Sequence, residues 1–232
     1  MPLSHVTLGI DVGTQSTKVL VYDVEDKKIL AVASAPHDII QQPDGTSEQQ
    51  ASWWIAAIEK CLVEIGPDIL RFVKCIGVSG QQHGFVPLNS DGEVIYNAKL
   101  WNDTSTEAEC EEITAAYGGR DKLIAQVGNP IVPGYTAPKI RWLKNHRPRI
   151  YEQLAQVLLP HDYVNYYLTG VYAMEYGDAS GTGFLNISDR TWAKDVLKAM
   201  DADRDLSSCL PSSFVAPNKA IGVLRPEFAQ KF

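Results

Sequence analysis

Hydrophobic and polar positions at the start of the chain fall into short alternating blocks. β-Branched apolar residues dominate positions 6–10 and 19–22, and a polar turn lies between them. Such runs are typical of strands, so the pattern predicts a strand pair joined by a short connection. After a second polar turn at 25–27, the strand pattern resumes at 28–35. The beginning of the chain therefore predicts a three-stranded meander.

The rest of the chain mixes helix and strand patterns. Residues 47–50 have the S-x-x-Q form of a capping box, and apolar positions then recur at helical spacing up to residue 65. Asp91-Gly92, between apolar runs at 85–88 and 94–98, is a hairpin signal. The remaining predicted elements are a buried strand at 73–79, a short strand at 157–159, and helices at 104–117, 137–145, 149–156 and 161–168. This order predicts one continuous α/β domain.

The composition is typical of a globular protein and argues against some classes of binding partner. The chain has 232 residues, of which 45% are hydrophobic and 21% charged, as in ordinary globular proteins. A net charge of −7 argues against general affinity for nucleic acid or for anionic membranes. The N-terminus lacks a basic segment, and the four cysteines are scattered without metal-ligand spacing. We expect a cytoplasmic protein in which three of the cysteines are reduced core residues, with no nucleic-acid or membrane partner.

The turn between the first two strands has the composition of a phosphate-binding loop. Its hydroxyls and backbone N–H groups can form an anion nest, and a glycine permits close backbone approach. Asp11, at the end of a strand, is suited to hold a hydrated Mg²⁺. The alternative is an ordinary hairpin in which Asp11 only braces the turn. The candidate phosphate-binding residues are Gly13, Thr14, Ser16, Thr17 and Lys18.

A second polar cluster follows the predicted strand at 73–79. Gln81, Gln82 and His83 lie between Gly80 and Gly84. Polar groups at the carboxyl end of a strand are where open α/β sheets place ligand contacts. Fixed donors and acceptors with little charge suit a polyol. The alternative is a glycine-rich turn with a surface histidine.

Three further residues leave two interpretations open. Trp101 can pack against the protein or form a platform for a ligand. Asp103 can accept sugar hydroxyls or cap the helix predicted to begin at Thr104. Asp178, in a cluster of small residues, can contact substrate or metal or can stabilise a turn.

Six motifs in order carry a resemblance to a known family. They are an Asp-x-Gly-Thr-x-Ser-x-Lys hairpin, Gly-Gln-x-His-Gly, Leu-Trp-Asn-Asp, Pro-Gly-Tyr-Thr-Ala-Pro-Lys, Leu-Pro-His-Asp-Tyr and Gly-Asp-Ala-Ser-Gly-Thr. Together they resemble the N-terminal domain of the FGGY carbohydrate kinases, in particular the members that phosphorylate xylulose. The resemblance covers nearly the whole chain.

The resemblance implies a fold, a reaction and a set of roles. The fold is the ribonuclease-H-like, actin-like one, with a mixed sheet flanked by helices, and the chain is the first of two domains. The reaction is ATP-dependent phosphorylation of a ketopentose with Mg²⁺. Asp11 corresponds to the catalytic and metal-binding carboxylate, and the loop of Thr14 and Lys18 to the phosphate loop. The substrate-binding residues are Gln82, His83, Gly84, Trp101 and Asp103.

The chain also departs from the family in length. Family members are about twice as long, and their general base is an aspartate in a Gly-Gly-Asp-Asn segment that these 232 residues lack. We therefore expect residues 1–232 to be an N-terminal half without the nucleotide-binding domain. The alternatives are an isolated sugar-binding domain or a kinase for another pentulose or polyol. A homodimer is a further expectation.

Overall fold

A computed structural model describes residues 5–212 and 214–232 of the chain. Its main sheet has four strands, and the other described strands form one three-stranded sheet and three two-stranded sheets. The strands are β1 (Val6–Val12), β2 (Ser16–Asp23), β3 (Lys28–Pro36), β4 (Ile40–Gln41), β5 (Ser47–Gln49), β6 (Val73–Gly80), β7 (Val86–Leu88), β8 (Ala98–Lys99), β9 (Gln156–Leu158), β10 (Met174–Glu175), β11 (Leu185–Asn186), β12 (Thr191–Trp192) and β13 (Phe214–Val215).

Helices occur along the described chain from residue 51 onward. They are α1 (Ala51–Ile65), α2 (Pro67–Leu70), α3 (Glu107–Tyr117), α4 (Arg120–Val127), α5 (Thr136–His146), α6 (Pro148–Tyr151), α7 (Pro160–Thr169), α8 (Tyr176–Ala179), α9 (Lys194–Met200) and α10 (Pro226–Lys231), with 3₁₀ turns at Ser180–Thr182 and Leu206–Cys209. Among the described helices, none is long and apolar enough to cross a membrane.

The main sheet confirms the predicted meander and extends it by one strand. Its order is β3-β2-β1-β6, with β1–β2 and β2–β3 antiparallel and β1–β6 parallel. Alternate residues of β1, beginning with Val6, are buried in the core, because side chains along a strand point to opposite faces. Helix α1 packs against β2 and β3. The α/β class with a mixed sheet is therefore confirmed.

Strand β6 differs from the sequence expectation of a buried strand. Only part of it is covered: helix α7 packs on it, whereas Cys75, Gly77 and Ser79 are exposed. An apolar run of this length cannot distinguish a strand covered on both faces from one covered on a single face. Gly9 and Asp11 of the neighbouring β1 lie on the same exposed face.

Three local predictions were wrong at their boundaries. The proposed capping box is strand β5, and α1 begins after Gln50 with no side-chain cap. Helix α3 begins at Glu107, three residues later than predicted. The helix predicted at 149–156 is the single turn α6, and β9 begins at Gln156. In each case a pairing or packing partner distant in sequence overrides the local preference.

The core consists of two apolar clusters. One lies under the main sheet and includes Trp54 and Ile58 of α1. The other lies among α3, α4, α5 and α9 and includes Ile113 and Leu143. Trp192 packs against both clusters and so links them. The four cysteines are free thiols.

Candidate active site

Two loops meet at one edge of the main sheet because β1 and β6 run parallel. Asp11 of β1 pairs with Ser79 of β6, and the Gln81 N–H donates to the Val12 carbonyl at 2.9 Å. The loops that follow the two strands therefore lie side by side, at the carboxyl ends where open sheets bind ligands. One is the predicted phosphate loop, and the other carries the predicted sugar residues.

Asp11 lies on the exposed face of β1, opposite Lys18 of β2. Its neighbours Ile10 and Val12 point into the core, so the pleat turns the Asp11 carboxylate outward. Among the described residues, no hydrogen bond or ion pair engages this carboxylate. A free carboxylate at a strand end fits a Mg²⁺ ion that retains several water ligands.

The phosphate loop is a tight turn closed by the Gly13 N–H, which donates to the Ser16 carbonyl at 3.1 Å. A Cβ on Gly13 would lie 3.2 Å from that same carbonyl oxygen, so the turn favours glycine. Thr14 and Ser16 are partly exposed and Lys18 is exposed. Thr17 is fully buried, so its side chain faces the core and not the loop surface. The assignment of Thr17 as a phosphate contact through its hydroxyl is therefore corrected.

A buried amide network anchors the loop. Gln49 Nε2 donates to the Thr14 carbonyl at 2.8 Å. Gln49 Oε1 accepts from Gln81 Nε2 at 3.0 Å and from Trp54 Nε1 at 2.9 Å. The sequence did not predict this role of Gln49, because the residue lies inside the apparent capping box. A residue of a capping box is expected at a helix start and not in contact with the phosphate loop.

The Thr14 hydroxyl connects the two loops, and Trp101 bonds to it. The Trp101 side chain is 50% exposed, and its indole Nε1 donates to Thr14 Oγ1 at 3.0 Å. Thr14 Oγ1 also lies 3.4 Å from Gln81 Oε1, to which it donates. The structure thus places Trp101 beside the phosphate loop with much of its ring open to solvent.

The predicted sugar loop presents two side chains of different character. Gln82 is exposed, and His83 is partly buried with its backbone in the left-handed region at φ +61°. His83 Nδ1 lies 3.1 Å from the Gly181 carbonyl, and its ring centroid is 5.0 Å from that of Tyr135. Burial lowers the pKa of His83 below its usual value, although the charge of Asp178 opposes this. A neutral imidazole is both donor and acceptor, which suits a hydroxyl ligand.

Two predicted substrate residues have structural roles instead. Asp103 is fully buried, and its carboxylate accepts from Lys99 Nζ at 2.8 Å and from the Ser47 N–H at 2.9 Å. No surface remains for a sugar, so its assignment to the substrate site is corrected. Gly84 is buried, and a Cβ there would lie 2.5 Å from Pro160, so close packing explains the glycine.

A charged cluster beneath the sugar loop was only partly anticipated. His161 Nδ1 lies 2.6 Å from Asp178 Oδ2, and His161 Nε2 lies 3.2 Å from Asp162 Oδ1. Burial alone would lower the pKa of His161, but the hydrogen bond to Asp178 and the charge of Asp162 raise it to about 9.

These three residues are close enough to consider a metal ion. The two nitrogens of His161, however, face different carboxylates, those of Asp162 and Asp178. This arrangement fits a protonated imidazole between two acids rather than three ligands around one ion. Asp178, whose role was left open, is therefore placed as an ion-pair partner.

Comparison with known proteins identifies the family. A model of the N-terminal domain of the FGGY family of carbohydrate kinases matches residues 6–232. Xylulose kinase of Haemophilus influenzae is 39% identical over 97% of this chain, and the match covers 47% of that protein. Xylulose kinase of Bacillus subtilis is 35% identical over 97% of this chain and 44% of its own length.

Solved structures agree with the sequence relatives. A crystal structure of a xyloylose kinase from Brucella ovis superposes with a TM-score of 0.87 at 32% identity, covering 96% of this chain and 46% of that one. The chain thus spans about half the length of the curated relatives it matches. The expected family resemblance is confirmed, and the chain belongs to the FGGY family of carbohydrate kinases, as a match to its N-terminal domain.

Proposed function

We propose that this chain supplies the sugar-binding and phosphate-loop part of an ATP-dependent ketopentose kinase. The favoured reaction of the complete protein converts D-xylulose to D-xylulose 5-phosphate. One observation carries the proposal: the Gln82–His83 loop and the Thr14 loop lie at the same sheet edge, with Trp101 bonded to Thr14. A sugar held at the first loop would present a hydroxyl to a phosphoryl group held at the second. The xylulose kinase names of the relatives support the choice of sugar.

Each side chain has a distinct task in this proposal. Gln82 and the neutral His83 bind and orient the hydroxyls, because directed hydrogen bonds discriminate between polyols. Asp11 holds Mg²⁺, which neutralises charge on the transferred phosphoryl group when it is bound. The N–H and hydroxyl groups of the loop at Thr14 and Ser16 bind phosphate oxygens. Most of the rate then comes from positioning and charge neutralisation.

An ADP-release assay on the complete protein tests the substrate. D-xylulose, D-ribulose and glycerol are compared at matched concentrations with ATP and Mg²⁺. We expect the highest kcat/KM with D-xylulose, because two neutral side chains, Gln82 and His83, face the sugar position. Preference for glycerol would contradict the ketopentose assignment, and the absence of sugar-dependent ADP release would contradict the kinase assignment.

A further inference from the structure

Lys139 of helix α5 is a fully buried ammonium group held by backbone carbonyls. Its Nζ donates to the His83 carbonyl at 2.8 Å and to the Gly134 carbonyl at 2.6 Å. Within the described part of the chain, no carboxylate lies within 4.0 Å of this nitrogen. Burial lowers the pKa of Lys139 well below its usual value, although Asp103 opposes the shift. A lysine is almost never buried so completely without a charged partner, so the position calls for a specific use.

The first acceptor, His83, has a backbone that needs support. Its φ of +61° lies in the left-handed region, which a residue with a Cβ rarely adopts. Thr136 Oγ1 also donates to the His83 carbonyl, at 3.3 Å. The first turn of α5 therefore provides two donors to the His83 carbonyl. Among the described residues of the sugar loop, His83 is the one non-glycine residue with a left-handed backbone. Strain of this kind persists only where surrounding contacts impose it.

The second acceptor, Gly134, extends the same restraint to the next loop. Tyr135, which follows it, packs its ring 5.0 Å from the His83 ring. A Cβ on Gly134 would lie 2.8 Å from the Trp101 carbonyl, so the Trp101 loop also packs closely here. One ammonium group thus ties the backbone under His83 to the backbone beside Tyr135 and Trp101.

We propose that Lys139 is a positioning residue of the sugar site, which holds the left-handed backbone of His83 and thereby directs its imidazole toward the sugar. The inference rests on the proposed function, because it assumes that His83 binds the substrate. In this proposal Lys139 does not contact the sugar but acts through its hydrogen bond to the His83 carbonyl. Thr136 donates a second, longer hydrogen bond to the same oxygen.

Lys139→Met tests the proposal in the 232-residue chain, because methionine preserves the length of the side chain but removes its donors. Lys144→Met is the matched control: it lies on the same helix but pairs with Asp201 at 2.7 Å. Two quantities are measured on the folded protein: the NMR resonances of the His83 amide and imidazole, and the Kd for D-xylulose. We expect Lys139→Met to shift the His83 resonances and to raise the Kd roughly tenfold, as for one lost directed contact. Lys144→Met should change neither.

Two further variants keep the test decisive if Lys139→Met does not fold. Thr136→Val removes the second donor and should shift the same resonances to a smaller extent. His83→Gly adopts a positive φ freely and has no imidazole, so adding Lys139→Met or Thr136→Val should not weaken sugar binding further. An additive loss of affinity in the double variants would overturn the proposal.

The outcomes also separate the two proposals from each other. Unchanged His83 resonances in folded Lys139→Met would show that the ammonium does not position His83. If wild type fails to bind D-xylulose while Lys139→Met still shifts the His83 resonances, the proposed function is wrong. Lys139 would then still be shown to position the His83 backbone.

Discussion

At the scale of single residues, His83 has two possible roles, which are to bind a ligand or to stabilise the fold. In the structure its side chain is partly buried, bonded to Gly181 and packed on Tyr135. Burial lowers its pKa, against the charge of Asp178, and so favours the neutral ring. Both observations are compatible with a directed contact to a sugar hydroxyl.

We predict that His83→Ala raises the Kd for D-xylulose roughly 3- to 30-fold, which corresponds to the loss of one hydrogen bond. The melting temperature should change little, because the ring is only partly buried. His146→Ala is the control, since His146 is an exposed histidine that pairs with Glu109. Calorimetric titration and thermal melts measure both quantities. A stability loss above about 1 kcal/mol with unchanged sugar affinity would assign His83 to the fold.

His161 provides a prediction that depends on pH. Its folded pKa of about 9 exceeds the unfolded value of 6.5, so the folded state binds the proton more tightly. The resulting stabilisation, on the order of 3 kcal/mol, is fully present below about pH 6.5 and is lost as the pH rises through 9. NMR titration should find His161 protonated at pH 7.5, and denaturation should show falling stability across this interval.

The matched variants for His161 are both aspartate-to-asparagine changes. Asp178→Asn removes the partner at 2.6 Å and should lower the pKa of His161 substantially. Asp203→Asn, at an exposed position on another part of the surface, should leave the pKa unchanged. A His161 pKa near 6.5 in wild type would contradict the ion-pair assignment.

At the scale of elements, the buried amide network joins β5, α1 and the two active-site loops. Gln49 is fully buried and accepts from both Trp54 and Gln81 while it donates to Thr14. A satisfied network of this kind is stable, but removal of its central amide leaves several buried partners without a bond.

We predict that Gln49→Met destabilises the protein by about 2–4 kcal/mol, because buried donors and acceptors lose their partner. Gln153→Met, at an exposed glutamine, should change the free energy of unfolding by less than about 0.5 kcal/mol. Urea denaturation of both variants measures the difference. Equal effects for the two substitutions would show that the network contributes nothing specific.

At the scale of the whole molecule, the chain carries only part of the proposed kinase. It spans about half the length of its curated relatives. The family resemblance implies an aspartate as the general base, in a Gly-Gly-Asp-Asn segment that residues 1–232 do not contain. The family model that matches it over residues 6–232 is that of the N-terminal domain.

We predict that the 232-residue chain alone shows no sugar-dependent ADP release, whereas the complete protein does. The reason is that the family resemblance implies a general base and a nucleotide-binding domain beyond the segments that residues 1–232 match. A coupled assay at saturating D-xylulose and ATP compares the two proteins, and a thermal melt verifies that the short chain is folded. Turnover by the short chain at an ordinary kinase rate of about 1–100 s⁻¹ would contradict the prediction that the short chain is inactive.

The sequence by itself determined the main architecture and the family. Local patterns predict the hairpin of β1 and β2 and the strand β6. Apolar alternation and turn residues determine the backbone conformation of only a few neighbouring residues, so a short stretch of sequence suffices. The order of the motifs along the chain identified the family without coordinates. The placement of Gly13, Thr14, Gln82 and His83 at strand ends followed from the same local patterns.

Only the tertiary structure decided which of those polar side chains are available to a ligand. Asp103 and Thr17 looked equivalent to their exposed neighbours, but contacts with partners distant in sequence bury them. The sequence did not show the roles of Gln49 and Lys139, because these roles consist of hydrogen bonds to Thr14, 35 residues away, and to His83, 56 residues away. Burial and long-range pairing arise only when the elements pack. That packing places Asp103 in an ion pair with Lys99, whereas no hydrogen bond or ion pair with another described residue engages Asp11.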